Sequence, residues 1–164
     1  MEIRRAKMEE LDLILELFEQ AKEFMRKNGN PNQWGANYPG REQIASDIRL
    51  GHSYVADADG EIAALFYFDC GEDIEPDYAV IDGAWLTHGQ PYGVMHRVVS
   101  TGKYPGMVRV CSDWCLQRCP SLRIDTHADN RPMQDALKRC GFHDCGIVTL
   151  ADGTTRLAFE KVNA

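Results

Sequence analysis

The sequence predicts a single α/β (α+β) domain over residues 1–164, with seven strands and four helices in the order β-α-α-β-β-β-α-β-α-β-β. Three observations carry that reading. Two long stretches, Leu11 to Met25 and Met107 to Cys115, repeat apolar residues at helical spacing. Short segments rich in Ala, Val, Tyr and Phe suit strands. Asp59-Gly60 and Asp152-Gly153 each stand between two such segments, where Asp-Gly marks a hairpin turn.

Residues 2–6 alternate in polarity and open the chain as a short strand. From Glu9 to Lys27, the residues Leu11, Ile14, Leu15, Phe18, Ala21 and Met25 line one helix face. Acidic residues crowd the first half of that helix, and Lys22, Arg26 and Lys27 its end, as the helix dipole prefers. Asn28-Gly29 stops it. A turn-rich loop over residues 30–40 follows, carrying Trp34 and Tyr38. A second helix runs over about 41–50, and strands follow at 53–57 and 61–68. Glu72–Gln90 is acidic and irregular. A strand over 93–100 leads to Ser100-Thr101-Gly102. After Gly106, apolar residues at 107, 110, 111, 114 and 115 predict a helix that Pro120 ends. Leu122–Thr126 is a short strand. Asn130-Arg131-Pro132 starts the last helix, with Pro in its first turn, and Gly141 stops it. Strands at 142–150 and 155–161 complete the chain.

A chain of 164 residues can bury a core without disulfides. Its net charge of −7 argues against nucleic acid, which needs a basic face, and suits a cationic small molecule. The N-terminus has no apolar signal core, and no stretch approaches the ~18 apolar residues of a membrane helix. A cytoplasmic protein without a membrane partner is expected, either a monomer or a homodimer. Six cysteines are then expected as reduced thiols. Cys111, Cys115 and Cys119 recur every four residues, near one helical stripe, and read as buried. No Cys-x-x-Cys occurs, and Cys140, His143 and Cys145 lack a fourth ligand at metal-binding spacing, so no metal is expected.

The chemistry begins where the 93–100 strand passes through Lys103-Tyr104-Pro105-Gly106-Met107-Val108 into a helix. Such a turn leaves backbone N–H groups unpaired at a helix N-terminus, and these with the dipole form a phosphate site. The pattern is neither a Walker loop nor Gly-x-Gly-x-x-Gly, and a bare turn without phosphate remains the other reading. The second signal is Leu122-Arg123-Ile124-Asp125-Thr126-His127, then Asp129-Asn130-Arg131-Pro132-Met133, with Gly141-Phe142 following.

On these residues the chain resembles the GNAT superfamily of acyl-CoA N-acyltransferases. In that family a Gln/Arg-x-x-Gly-x-Gly/Ala turn cradles the CoA pyrophosphate, and Asn-x-x-Ala-x-x-Leu-Tyr-x-x-x-Gly-Phe marks the next helix and strand. Here Lys103, Gly106 and Val108 stand in the first pattern, and Asn130, Met133, Ala136, Leu137, Gly141 and Phe142 in the second. The element order agrees over nearly the whole chain. Lys103 keeps the positive charge of Gln/Arg, Val108 replaces a small residue, and Leu137 stands where many relatives carry the acid tyrosine.

The resemblance implies a mixed, mostly antiparallel sheet of six to seven strands flanked by about four helices. It also implies acetyl transfer from acetyl-CoA, as co-substrate, to a small primary amine by direct attack. The CoA contacts would come from Val98, Val99, Lys103, Gly106, Met107, Val108, Arg109 and Asn130. His96 stands where relatives often place the base, and a histidine packed in the sheet is the other reading. Asp125 and His127 would orient or relay protons, or serve only the turn. Glu72, Asp73, Glu75 and Asp77 read as a solvated acidic loop that attracts a cation. Trp34 and Tyr38 would wall the acceptor pocket, or simply pack. Two rivals share the fold. One is a non-catalytic CoA-binding sensor, which Val108 and Leu137 favour; the other is an interaction module that has lost the ligand.

Overall fold

A computed structural model describes residues 1–35 and 37–163, so Ala36 of the aromatic loop lies outside the described residues. Its strands are β1 (Glu2–Arg5), β2 (Ser53–Ala58), β3 (Glu61–Gly71), β4 (Asp82–Gly83), β5 (Tyr92–Ser100), β6 (Ser121–Thr126), β7 (His143–Thr149) and β8 (Thr155–Val162). Its helices are α1 (Leu11–Lys27), α2 (Arg41–Arg49), α3 (Met107–Leu116) and α4 (Arg131–Arg139). The strands form one sheet in the order β1-β2-β3-β5-β6-β8-β7-β4.

Alternation along the strands sends neighbouring side chains to opposite faces, and each face carries its own core. Val55, Leu65 and Val99 pack with Leu11, Ile14 and Phe18 of α1 and Ile44 of α2. Phe66, Phe68 and Met95 pack on the other face with Met107, Cys111 and Cys115 of α3 and Leu137 of α4. These faces bury most of the helical stripes read from the sequence, but Val110 of the α3 stripe is exposed at 39%.

Every neighbouring pair is antiparallel except β5 and β6, whose parallel pairing spans only Gly93↔Leu122 and Val94↔Arg123. The cause lies on the other side of β5. Leu65 pairs with Val99 but Tyr67 with His96, so one residue of β3 faces two of β5. This bulge bends β5 away from β6. Its extra residue, Arg97, has φ +50, a left-handed conformation that costs a non-glycine residue of order 1–3 kcal/mol. Three contacts oppose that cost. Arg97 Nε donates to Asp47 Oδ2 at 2.9 Å, Nη1 donates to the Tyr38 hydroxyl at 2.8 Å, and the guanidinium lies 4.7 Å over the Tyr67 ring.

Two stretches differ from the sequence pattern. α3 ends at Leu116 rather than at Pro120, so Cys119 sits in the following turn with its thiol donating to the Cys115 carbonyl. The acidic stretch 72–90 contains a short 3-10 turn, Pro76–Tyr78, and β4, an eighth strand paired with β7 through Asp82↔Ile147 and Gly83↔Gly146. Two residues carry no readable alternation, which is why the pattern misses β4. A buried carboxylate secures this stretch. Glu160 on β8 is fully buried, and accepts hydrogen bonds from Leu86 N at 2.7 Å and Thr87 Oγ1 at 2.6 Å. Arg123 Nε stands 3.3 Å from the same carboxylate, and its guanidinium lies between the Trp85 and Tyr92 rings at 4.3 and 4.0 Å.

All six cysteines are free; five are buried and Cys70 is exposed. Among the described residues, no group of His, Cys, Asp or Glu could hold a metal ion, and no helix is long and apolar enough to cross a membrane.

Gly93 marks the tightest point beside the short parallel pairing. A Cβ built there meets Cys119 Sγ at 2.5 Å, Phe68 at 3.0 Å and Leu122 at 3.2 Å. Gly93→Ala is therefore expected to lower unfolding stability by about 1–3 kcal/mol through overpacking. Urea denaturation checks this, and a midpoint equal to the parent's would show that the core yields freely.

Candidate active site

Where β5 and β6 part, a cleft of about 640 Å³ opens, lined by Trp34, Tyr38, Glu75, Tyr78, His96, Val98, Asp125 and Asn130 among others. From Met95 onward, the edge of β5 that faces β6 has no strand partner among the described residues, so its backbone borders this space.

His96 comes from β5 and Glu75 from the loop before the 3-10 turn. Nε2 of His96 lies 2.9 Å from Glu75 Oε2, and both side chains are about one-fifth exposed, at 20% and 21%. The His96 hydrogen bond, opposed by burial, holds the Glu75 carboxyl below its ordinary value of 4.5. An ionised carboxylate only accepts, so His96 Nε2 carries the proton of this hydrogen bond. Glu75 also accepts from the Asp77 N–H at 3.3 Å, which ties its orientation to the turn.

Asp125, on β6, accepts a 2.6 Å hydrogen bond from the Tyr78 hydroxyl. Tyr78 is almost wholly buried at 2% exposure. Burial, then the charge of Asp125, pushes its phenol well above its ordinary range, so it remains a protonated donor. Burial and the nearby Glu75 and Asp125 raise the Asp77 carboxyl. Glu75, Asp77, Asp125 and Asp152 thus bring four carboxyl groups to the cleft lining.

The aromatic loop is pinned over the cleft by Gln33. Its Oε1 accepts from Asn30 Nδ2 at 2.9 Å and Asn130 Nδ2 at 3.0 Å, and its carbonyl accepts from Arg156 Nη2 at 2.9 Å. Trp34 both lines the cleft and packs edge-on against Phe18, with ring centroids 5.5 Å apart. Tyr38 faces the cleft with its hydroxyl held by Arg97.

In the turn that follows β5, Gly106 caps α3 with φ +75, and the first helical bond runs from Val110 N to Gly106 O. Among the described residues, the N–H groups of Met107, Val108 and Arg109 have no acceptor. A Cβ on Gly106 would meet nothing within 4 Å, so the turn needs glycine for its backbone angle, not for space. These free donors at the start of a ten-residue helix fit a phosphate. Val108 is half-buried against the core. Lys103 is exposed and bound to Glu61 at 2.9 Å, and that hydrogen bond raises its pKa. Arg109 donates to the Arg139 carbonyl at 2.7 Å, tying α3 to α4.

The expected residues therefore divide by place. His96, Val98, Asp125, Asn130, Trp34 and Tyr38 line one cleft. Lys103, Gly106, Met107, Val108 and Arg109 form the turn and first helical residues after β5. Val99 points into the α1–α2 core. Asn130 caps α4 by accepting from Met133 N at 3.2 Å, while its amide donates to Gln33. His127 Nδ1 accepts from the Asp129 N–H at 3.0 Å, a turn contact. Leu137 is fully buried in the core and does not line the cleft. Sequence reasoning missed Tyr78, Gln33 and Arg97, and read Glu75 as solvated. No local pattern marks them, since each acts through a partner distant in the chain.

No family model and no curated protein matches the sequence. Among solved structures, a GNAT-family acetyltransferase from Streptococcus agalactiae is 32% identical over 99% of this chain and 95% of its own, with a TM-score of 0.89. A protein of Staphylococcus aureus assigned as an acetyltransferase is 27% identical over 100% of both chains, with a TM-score of 0.69. AAC(6')-Ib, solved in complex with acetyl-CoA, is 15% identical over 98% of this chain and 92% of its own; its TM-score of 0.66 reflects the shared fold alone.

The His96–Glu75 pair has a measurable signature in acid. With the folded Glu75 carboxyl below 4.5, its stabilisation is complete above pH 4.5 and is lost as pH falls through the folded value. Glu75→Gln is expected to lower the urea midpoint at neutral pH and to flatten the midpoint's fall in acid. Parallel profiles for parent and variant would show that the pair does not contribute.

Proposed function

Because the chain belongs to the GNAT family of acetyltransferases, we propose that its cleft moves an acetyl group from acetyl-CoA to the primary amine of a small molecule by direct attack. The observation that carries this reading is the His96–Glu75 pair set beside the open edge of β5, within the same cleft as the aromatic loop. AAC(6')-Ib was solved with acetyl-CoA and with coenzyme A, which supports a CoA-type co-substrate for a chain of this fold.

The free N–H groups of Met107, Val108 and Arg109 receive the pyrophosphate, with Gly106 holding the turn. The thioester lies along the open edge of β5, where backbone N–H near Val98 polarises its carbonyl. An alkylamine with a pKa near ~10.4 arrives as an ammonium ion and must lose a proton before it attacks. The carboxylates of Glu75, Asp77 and Asp125 attract that cation. His96 then takes the proton at Nδ1, directly or through water, while Glu75 holds Nε2–H and stabilises the imidazolium that forms. The amine nitrogen bonds to the acetyl carbon, the carbon–sulfur bond breaks, and the second nitrogen proton passes to water, leaving a neutral amide. CoA leaves as a thiolate, an adequate leaving group at a thiol pKa near ~8.5, so no acid is required from the buried Leu137 position.

Thiol release from acetyl-CoA across a panel of amines tests the activity, and no release with any amine would overturn it. His96→Ala is expected to lose on the order of 10²-fold in the chemical step while keeping acetyl-CoA affinity. An enzyme within threefold of the parent would place the proton elsewhere.

Gly106→Pro imposes φ near about −65° on a residue held at +75, and should abolish the rise in melting temperature on adding acetyl-CoA. Lys103→Ala should weaken that shift only modestly, because Lys103 already binds Glu61. Equal shifts in the parent and Gly106→Pro proteins would remove the phosphate site from this turn.

A further inference from the structure

Away from the cleft, two thiols meet on the face of the sheet that α3 covers. Cys70, near the end of β3, is the exposed cysteine among the six. It pairs across the antiparallel ladder with Gly93 of β5. Paired residues point the same way, with Cβ atoms about 4.5–5.5 Å apart. Gly93 has no side chain, and Cys119 fills the space: a Cβ on Gly93 would lie 2.5 Å from Cys119 Sγ. The Cys119 sulfur thus stands where the cross-strand neighbour of Cys70 would stand, close enough for each thiol to perturb the other's ionisation. Cys119 reaches this position because α3 ends at Leu116, and its thiol is held by the Cys115 carbonyl at 3.1 Å.

The two sulfurs differ in access. Cys119 is 5% exposed, so an external reagent meets Cys70 first. Burial pushes the Cys119 thiol up to about 12 and also raises Cys70, so neither is a fast nucleophile in solution. Once a reagent is attached to Cys70, the attack by Cys119 is intramolecular, and proximity offsets its small thiolate fraction.

We propose that Cys70 and Cys119 form a thiol-modification site for low-molecular-weight disulfides, with Cys70 attacking and Cys119 resolving. Cys70 gives up its proton to solvent, and its thiolate attacks one sulfur of the external disulfide. That S–S bond breaks, one small thiolate leaves, and Cys70 carries a mixed disulfide. Cys119 then gives up its proton and attacks Cys70 Sγ, expelling the second small thiolate and forming the Cys70–Cys119 bond. The two cysteines lose two electrons and two protons, and the external disulfide becomes two thiols. The bond ties the end of β3 to the turn after α3, across Gly93 and beside the short β5–β6 pairing.

The test incubates the folded protein with oxidised glutathione, blocks remaining thiols, and maps the peptides by mass spectrometry. The parent should yield a Cys70–Cys119 cross-link without retained glutathione, and its melting temperature should rise because the unfolded chain is constrained. A reductant should reverse both changes. Cys119→Ser should stall with glutathione on Cys70, and Cys119→Ala should do the same if the serine variant folds poorly. Cys70→Ser should gain neither glutathione nor cross-link. Glutathione retained on Cys70 of the parent, a cross-link between another pair such as Cys115 and Cys119, or unchanged thiols would overturn the proposal.

Discussion

A single ion pair sets the shape of the cleft. Arg97 occupies a left-handed conformation in mid-strand, and the nearly buried Asp47 of α2 binds its guanidinium through two nitrogens, Nε at 2.9 Å and Nη2 at 2.8 Å. A charge-assisted contact of this kind is among the stronger polar interactions available to a folded chain. It fastens α2 to a bulged β5, and the bulge turns β5 from β6 after only two paired residues. The same guanidinium holds the Tyr38 hydroxyl, so the strand that opens the cleft also positions part of its wall.

A second, wholly buried charge secures the opposite side. Glu160 and Arg123 lie under the stretch before β5, with Trp85 and Tyr92 enclosing the guanidinium. Removing charges from water is costly; Leu86 and Thr87 offset part of that cost with hydrogen bonds to the carboxylate, while Arg123 Nε, 3.3 Å from it, makes no hydrogen bond among the described residues. The result is directional. With residues 84–87 anchored and Trp85 Nε1 donating to the Tyr78 carbonyl at 2.9 Å, the 3-10 turn is held over β5 and β6. Glu75 and Tyr78 then reach His96 and Asp125 from outside the sheet. Two protonation states follow from this placement: an ionised Glu75 beside His96, and a neutral Tyr78 phenol beside Asp125.

Much of the fold was legible because its signals are local. Apolar stripes at helical spacing marked α1 and α3, Asp-Gly turns marked two hairpins, and Gly106 marked a helix start with free donors. The order of elements and the Asn130 and Gly141-Phe142 spacing pointed to the family that the 32% identical Streptococcus structure shows. His96, Asp125, Trp34 and Tyr38 were legible as residue types suited to the chemistry and set near a turn or strand end. Their meeting in one cleft was not, since each lies on a different segment of the chain.

The sequence by itself determined the four helices, seven of the eight strands and the glycine turn at Gly106, though not the end of α3 or the two-residue β4, because these signals depend on neighbours a few residues away. Tertiary structure alone decided that Arg97 leaves the strand conformation, that Glu75 is a partner of His96 rather than a solvated acid, and that Leu137 faces the core. It also decided that Cys119 fills the space Gly93 leaves beside Cys70. The hydrogen bonds behind the first two are long-range, spanning 21 residues between His96 and Glu75, 50 between Arg97 and Asp47, and 59 between Arg97 and Tyr38. Such contacts exist only once the sheet has brought both ends together, and no periodicity along the chain encodes them.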